Sequence, residues 1–119
     1  MAPVHTHLGE FEQVLLFALV RLGRAHGAVI REEIEERTGR SVSPGAIYTA
    51  MDRLEQRGLV ASAVESGTKE RGGRRRKEYW LRPAGARVLE ESYERVQRMA
   101  DGQASALRRL REANRRGAT

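Results

Sequence analysis

The sequence predicts a mainly α-helical protein with one small β-hairpin. Three observations lead to this prediction. Apolar residues recur at intervals of three and four along most of the first 57 residues. The interval changes to two after Gly58, and a heptad spacing begins after Pro83. With 119 residues, the chain is long enough for one ordinary domain with a small core.

The first predicted helix runs from Leu8 to Leu22 and is followed by a glycine that ends it. Its buried side consists of Leu8, Phe11, Val14, Leu15, Ala18, Leu19 and Leu22. A second helix is predicted from Gly27 to Thr38, with Ile30 and Ile34 toward the core and Gly39 as its stop signal. The first seven residues show no period and are expected to fray.

The third predicted helix has the clearest boundaries. Ser43 suits the N-cap, Pro44 suits the first helical position, and Gly58 follows the last turn. Spacings of four and three place Ile47, Met51 and Leu54 on one apolar face. The opposite face is small and polar and consists of Gly45, Tyr48, Thr49, Asp52, Arg53 and Gln56.

A projecting hairpin is predicted next, with strands at Leu59–Val64 and Arg75–Leu81. The loop between them, residues 66–73, is rich in glycine and charge. One last helix is predicted over residues 83–113. Its apolar positions alternate by four and three, as in a coiled-coil seam, and comprise Leu89, Tyr93, Val96, Ala100, Gln103, Leu107 and Leu110.

The positive charge of the chain is concentrated in one segment. Residues 69–87 hold eight Lys/Arg and two Asp/Glu, which equals the net charge of +6 for the whole chain. The stretches before and after it carry −2 and +2. A local basic stripe is typical of proteins that bind polyanions, although a solvated loop in an arginine-rich protein has the same composition.

Composition excludes several other classes. The chain has no cysteine, so disulfides, thiolate metal sites and thiol nucleophiles are absent. No apolar run is long enough to span a bilayer and no signal peptide is apparent, so a cytoplasmic protein without membrane contact is expected. No nucleophile–base pair or phosphate loop is present, so neither an enzyme nor a cofactor is predicted. Three scattered histidines, His5, His7 and His26, do not predict a metal site.

Three helices followed by a hairpin with a basic tip are the layout of a winged helix-turn-helix. In that geometry residues 8–82 form the DNA-binding domain and the third helix enters the major groove. Arg53 can reach a guanine edge or a phosphate, and Gly45 lets the start of the helix approach a phosphate closely. The DNA contacts predicted in the wing come from Lys69, Arg71, Arg74, Arg75, Arg76 and Lys77.

Four stretches of this sequence resemble the PadR family of bacterial transcriptional regulators. They are LGEFEQVLLFALVRLG (8–23), EIEERTG (33–39), VSPGAIYTAMDRLEQRGLV (42–60) and GGRRRKEYWLRPAG (72–85). The resemblance implies a homodimer on a palindromic operator, usually as a repressor, and with a single C-terminal helix it points to the short subfamily. It also implies that some members release DNA on binding phenolic acids or hydrophobic drugs. By this resemblance, the recognition-helix positions are Ser43, Gly45, Tyr48, Thr49 and Arg53.

The last helix, residues 83–113, is expected to form the dimer. Leu89, Tyr93 and Val96 should meet the first helix of either subunit, and Leu107 and Leu110 should meet the partner. The expected dimerisation set is Leu89, Tyr93, Val96, Ala100, Leu107 and Leu110. An unidentified small hydrophobic or aromatic effector would bind between the dimerisation helices.

Two other functions remain open from the sequence. A winged helix can serve as a protein–protein interaction module instead of a DNA reader. The chain can also bind single-stranded nucleic acid without specificity, by stacking bases on Tyr79 and Trp80. For Tyr48, a half-buried packing role and a phosphate contact are both open.

Overall fold

The computed structural model describes residues 7–65 and 76–117. The elements are, in chain order, α1 (Glu10–Leu22), β1 (Arg24–His26), α2 (Gly27–Thr38), α3 (Pro44–Gln56), β2 (Val60–Val64), β3 (Lys77–Leu81), α4 (Pro83–Ala100) and α5 (Ala104–Arg116). The mainly helical architecture with a small sheet confirms the predicted fold class. Within the part of the chain so described, no helix is both long enough and apolar enough to cross a membrane.

The ends of the first three helices follow the signals in the sequence. The Gly9 amide donates to the Glu12 carboxylate at 2.9 Å just before α1. The Ser43 hydroxyl accepts from the Ala46 amide at 3.1 Å, so Ser43 is the N-cap of α3, with Pro44 in its first turn. The predicted start of α3 and the predicted end of α2 before Gly39 are therefore confirmed.

The sheet has three antiparallel strands in the order β1-β3-β2, one more than the predicted hairpin. Val60 lies opposite Leu81 and Val64 opposite Lys77, which fixes the register of the hairpin. Strand β1 pairs Ala25 with Tyr79 on the other side of β3. The sequence analysis missed β1 because three residues are too few to display an alternating pattern.

One core joins α1, α2, α3, the sheet and the first half of α4. Its fully buried side chains include Leu15, Leu16, Leu19, Ile30, Ile34, Ile47, Met51, Leu54, Val60, Tyr79 and Val88. Leu16 belongs to this core although the predicted stripe omitted it. Gln13 of α1 donates to Ser92 of α4 at 3.0 Å, and Ser92 is buried, so α4 is anchored to the first helix.

The prediction of one continuous C-terminal helix is wrong. The chain leaves the helical conformation at Asp101 and Gly102, and it resumes as a separate helix, α5, at Ala104. Gly102 has φ +74°, which is favourable only for glycine, so the backbone turns there and the heptad seam is interrupted. With a second C-terminal helix, the chain also departs from the single-helix subfamily that the sequence suggested.

The C-terminal part extends away from the core. The radius of gyration is 17.9 Å, whereas a compact domain of this length has about 13.5 Å. From Ala104 to Arg115, the side chains of α5 are exposed, except that of Ala106, which is partly buried. The core therefore ends in the first half of α4, and α5 does not contribute to it.

Candidate nucleic-acid interface

Helix α3 separates an apolar back from a polar front. Ile47, Met51 and Leu54 are at most 1% exposed. The sequence-predicted contact residues on the other side are all exposed: Ser43, Gly45, Tyr48, Thr49, Arg53 and Gln56. Four of them, Ser43, Gly45, Thr49 and Arg53, line one open groove that Phe11 of α1 borders. The structure therefore brings these four positions together on one surface. Arg53 is the only charged residue among those lining it, and within residues 7–65 and 76–117 its guanidinium has no ion-pair partner.

The first turn of α3 is open to a close approach. A Cβ atom added at Gly45 would find no neighbouring atom within 4 Å. Packing inside the chain therefore does not require glycine at this position. The missing side chain leaves the backbone at the start of the helix accessible, where amide groups favour an anion.

Two side chains of α2 hold the chain just before α3. The Arg31 guanidinium donates to the Val42 carbonyl at 2.6 Å, and the Val42 amide donates to the Glu35 carboxylate at 3.0 Å. Arg31 and Glu35 also face each other at 3.6 Å. Both backbone groups of Val42 are therefore fixed, and with them the direction in which α3 leaves the turn. We call these three residues the Val42 clamp.

The Val42 clamp escaped the sequence analysis, which assigned no contact to Arg31 or Glu35. The spacing of four that identified them as neighbours on a helix was the available signal. The nearby Glu33 also forms an ion pair, with Arg37. Over residues 7–65 and 76–117, no group of three histidine, aspartate or glutamate side chains is placed to hold a metal ion.

The position of Tyr48 is compatible with both roles left open by the sequence. The residue is 43% exposed, and its ring lies against Gly27 at the start of α2. Its hydroxyl is therefore at the edge of the α3 front, between α3 and α2. A tyrosine in that position can pack with one face and donate from its hydroxyl.

Only the base of the wing falls within the described residues. Lys77 lies in β3 opposite Val64, and the Glu65 amide donates to the Arg76 carbonyl at 2.8 Å. His26 Nδ1 donates to the Lys77 carbonyl at 3.1 Å and ties the wing to the start of α2. The other predicted wing contacts, Lys69, Arg71, Arg74 and Arg75, lie outside the described residues.

The two aromatic residues of β3 differ in their exposure to a single strand, because Tyr79 is buried and Trp80 has one covered face. Tyr79 is completely buried, and the Arg24 guanidinium covers the Trp80 ring at 3.7 Å from its centroid. Arg24 is itself held by Glu78 at 3.1 Å. The alternative of base stacking on Tyr79 is therefore wrong, because the core occupies both faces of that ring.

Burial raises the pKa of Tyr79 to about 12, and the negative charges of Asp52 and Glu55 on α3 add to this increase, as does Tyr48. No hydrogen-bond partner of the Tyr79 hydroxyl is found among the described residues. The phenol therefore keeps its proton at any physiological pH. Its ring belongs to the core and is not part of the exposed surface of α3.

The predicted dimerisation residues fall into two groups. Leu89 is 3% exposed and belongs to the chain's own core, and Tyr93 stacks edge-on against Phe17 of α1 with 5.5 Å between ring centroids. Beyond them, the apolar side chains are open to solvent: Val96 is 58% exposed, Leu107 65% and Leu110 66%. Ala100 is also exposed.

Comparisons with known proteins agree with this architecture. The profile of the family described as "Transcriptional regulator PadR-like family" matches residues 15–91. Two curated relatives are similar in sequence. An uncharacterised 37.1 kDa protein in transposon TN4556 of Streptomyces fradiae is 32% identical over 88 residues, 74% of this chain. The transcriptional regulator Rv3488 of Mycobacterium tuberculosis is 36% identical over 75 residues, 63% of this chain.

Solved structures show the same fold. A PadR family transcriptional regulator from Eggerthella lenta has a TM-score of 0.64 and 28% identity, with 82% of this chain and 86% of that chain covered. F93 from STIV, a winged-helix DNA-binding protein, has a TM-score of 0.63 and 22% identity, with coverages of 81% and 97%. The winged-helix prediction is thereby confirmed.

The matched stretch covers 24% of the Streptomyces relative and 65% of the Mycobacterium relative, so both proteins are longer than the region they share with this chain. The family match, in contrast, covers well over half of the chain and includes α2, α3, the sheet and the first half of α4. The family description names a regulator and no reaction, in agreement with the prediction that the chain is not an enzyme. This chain belongs to the PadR-like family of transcriptional regulators.

Proposed function

We propose that this chain is a homodimeric repressor that recognises a palindromic operator in double-stranded DNA. The observation that carries the proposal is the front of α3. It presents exposed polar side chains around a glycine with free space, while Ile47, Met51 and Leu54 close its back. A winged-helix relative of the same fold is itself a DNA-binding protein, which supports this partner.

Six exposed residues of α3 and its N-cap have proposed roles on DNA. In the major groove, Arg53 donates to a guanine edge, Gln56 pairs with an adenine edge and Thr49 contacts a thymine methyl group or a base edge. Ser43 and Gly45 bring the first turn of the helix to a phosphate, and the Tyr48 hydroxyl donates to a neighbouring phosphate. The basic wing, residues 69–77, follows the backbone and supplies salt-dependent affinity.

The dimer follows from the apolar side chains left uncovered in one chain. Along α4 and α5, Val96, Met99, Leu107 and Leu110 are each more than half exposed. Burying one such side chain stabilises an interface by about 1.5–3 kcal/mol, and a two-fold partner buries both copies of each. The two α3 helices then enter successive major grooves, roughly 34 Å apart.

The proposed effector site is the groove between α1 and α4. Phe17, Val20, Leu89 and Tyr93 line it, and the edge-on pair of Phe17 and Tyr93 offers a small hydrophobic or aromatic molecule two rings. The sequence analysis expected this effector between the dimerisation helices. A molecule bound here would favour dimers with one spacing of the two winged domains and so change the affinity for DNA. Because chromosomal DNA is the proposed partner, action in the cytoplasm is expected.

The first test is the recovery of bound duplexes from a random DNA pool by the full chain. Enrichment of an inverted repeat is expected, with half-site centres about one helical turn apart. Failure to enrich any duplex would contradict the DNA partner and favour a protein–protein module. Enrichment of a single, non-repeated half-site would contradict the two-fold dimer.

The second test changes the dimer surface. Leu107→Arg with Leu110→Arg is expected to convert the dimer to a monomer in light scattering, to leave the circular dichroism near that of the native chain, and to weaken binding to the inverted repeat about 100-fold through lost avidity. Ser105→Arg with Glu112→Gln raises the charge by the same two units and keeps both leucines. This control is expected to remain a dimer. A double arginine variant that stays dimeric would place the interface elsewhere.

A further inference from the structure

The ring of Tyr48 lies so close to the backbone of Gly27 that no residue larger than glycine fits there with the ring in place. Gly27 is the first residue of α2 and is buried. A Cβ atom built on it would lie 2.9 Å from both Cζ and the hydroxyl oxygen of Tyr48. Real Cβ atoms essentially never approach other atoms so closely. The phenol of Tyr48 therefore lies directly on the backbone of Gly27, in the space of the missing side chain.

The backbone of α2 does not itself require glycine at this position. Gly27 is not among the four glycines with positive φ, and its conformation is open to any L-residue. Alanine is the better residue for a helix. The close contact with Tyr48 is thus the one feature among the described residues that explains a glycine here.

We propose that Gly27 is a positioning residue for Tyr48 in DNA binding. It lets the phenol rest on α2 with the hydroxyl at the border between α2 and α3, so the donor is already oriented when a phosphate arrives. An exposed tyrosine without this contact would lose rotamer freedom on binding, which lowers affinity. The inference rests on the proposed phosphate contact of Tyr48 and assigns its geometry to a residue outside the α3 surface.

The same position is favourable for an anion in a second way. Gly27 begins α2, and the amide groups of a first helical turn carry partial positive charge. The residue before it, His26, makes no side-chain cap to these amides. A phosphate that accepts from the Tyr48 hydroxyl therefore meets the positive end of α2 as well. Moving the phenol away from Gly27 would separate the two attractions.

The position of the ring can be measured without DNA. In the native chain, NMR should show cross-peaks between the α-protons of Gly27 and the ring protons of Tyr48. In Gly27→Ala these cross-peaks should disappear and the Tyr48 ring signals should shift, while signals of the core remain. The fold is expected to survive, because Tyr48 is 43% exposed and its ring can swing outward. Unchanged Tyr48 signals in Gly27→Ala would overturn the proposal.

The consequence for binding is tested by a double-mutant cycle on a mixed-sequence duplex of about 30 base pairs, long enough for two half-sites. Gly27→Ala and Tyr48→Ala should each weaken binding about three- to tenfold, the effect of one lost hydrogen bond. The double variant should be no weaker than Tyr48→Ala alone. A further loss from Gly27→Ala in the absence of Tyr48 would overturn the proposal, because glycine would then act on DNA by itself or on the fold.

Two controls separate positioning from other effects. Ala28→Gly alters the next, exposed residue of the same turn and should leave both the Tyr48 signals and the affinity unchanged. Tyr48 is uncharged, so the salt dependence of binding should keep its slope in Gly27→Ala. If Tyr48→Ala leaves binding unchanged, the proposed phosphate contact is wrong and so is the role of Gly27 in binding. The NMR result then reports on the packing alone.

Discussion

Helices α3 and α5 are both 13 residues long, and each has apolar side chains on one side and polar or charged side chains on the other. The apolar side of α3 is closed, with Leu54 completely buried. The apolar side of α5 is open, with Leu110 66% exposed. An amphipathic pattern therefore predicts that a helix forms, but only the rest of the fold determines whether its apolar face is covered.

The difference agrees with the two different partners proposed for these helices. Because α3 satisfies its apolar face inside the chain, its polar front is free for a charged ligand. Because the leucines of α5 are exposed in the single chain, they form an apolar surface that a partner can bury. The substitutions that follow test this contrast, beginning with the largest expected effect.

Removing a leucine from each helix addresses the contrast directly. Leu54→Ala should lower the free energy of unfolding by about 2–5 kcal/mol, since it opens a cavity in the core. Leu110→Ala should leave unfolding at high dilution unchanged within about 0.5 kcal/mol. Urea denaturation followed by circular dichroism measures both. An equally large loss for Leu110→Ala at every protein concentration would mean that α5 packs on its own chain.

The charged sides of the two helices should differ in specificity. Arg53→Ala is expected to weaken binding to the selected operator by about 1–3 kcal/mol, and binding to random duplex much less, if the side chain reads a base. Arg109→Ala on α5 is the matched loss of one charge and should not change the ratio of the two affinities. Fluorescence anisotropy on both duplexes gives this ratio. Equal losses in Arg53→Ala would make Arg53 a phosphate contact only.

The buried phenol of Tyr79 should make the stability of the folded chain depend on pH in the alkaline range. The pKa of Tyr79 is about 12 in the folded chain, above the ordinary value of 10.0, so the folded state holds its proton more tightly. This contribution to stability is complete below about pH 10 and is lost as the pH rises through 12, with about 1 kcal/mol gone near pH 11. Tyr79→Phe should abolish that share of the alkaline fall. Urea denaturation of both proteins at about pH 9 and about pH 11 measures this loss. An equal loss of unfolding free energy in the two proteins would mean that the Tyr79 hydroxyl is solvated.

Two of the glycines with free space around them, Gly45 and Gly102, should respond in opposite ways. Gly45→Ala has ordinary helical φ and free space, so the free energy of unfolding should stay the same or rise by up to about 1 kcal/mol. Duplex binding should nevertheless weaken, since a methyl group then separates the backbone from the phosphate. Gly102→Ala, at φ +74°, should destabilise the turn between α4 and α5 by about 1 kcal/mol. Thermal unfolding and duplex titration test both. Undiminished binding by Gly45→Ala would contradict a close approach of DNA at this turn.

Local signals predicted the helices of the winged domain well. Ser43 and Pro44 define the start of α3 through chemistry within one turn, and the alternating strand β3 begins two residues later than expected. Strand β1 depends instead on pairing with residues more than fifty positions away, which no local pattern reports. At Gly102 the heptad pattern and the local backbone preference conflict, and the backbone preference prevails.

The features of the candidate surface also divide into those that local sequence predicts and those that it does not. Its exposed members, such as Thr49 and Arg53, follow from the period of a single helix. The contacts that orient them do not, because they join different elements: Arg31 and Glu35 to Val42, and Gly27 to Tyr48. The sequence also did not predict the complete burial of Tyr79. The alternation of a strand indicates which face points inward, but not how completely that face is buried.

The Val42 clamp has a consequence for how freely the exposed side of α3 can change in sequence. Arg31 donates to the carbonyl of Val42, a group that every residue has. Glu35 accepts from the amide of Val42, a group that every residue except proline has. The direction of α3 is thus set by main-chain chemistry and is indifferent to which side chains its front displays. The exposed side chains of α3 can therefore be replaced, by evolution or by design, while the Val42 clamp keeps the direction of the helix.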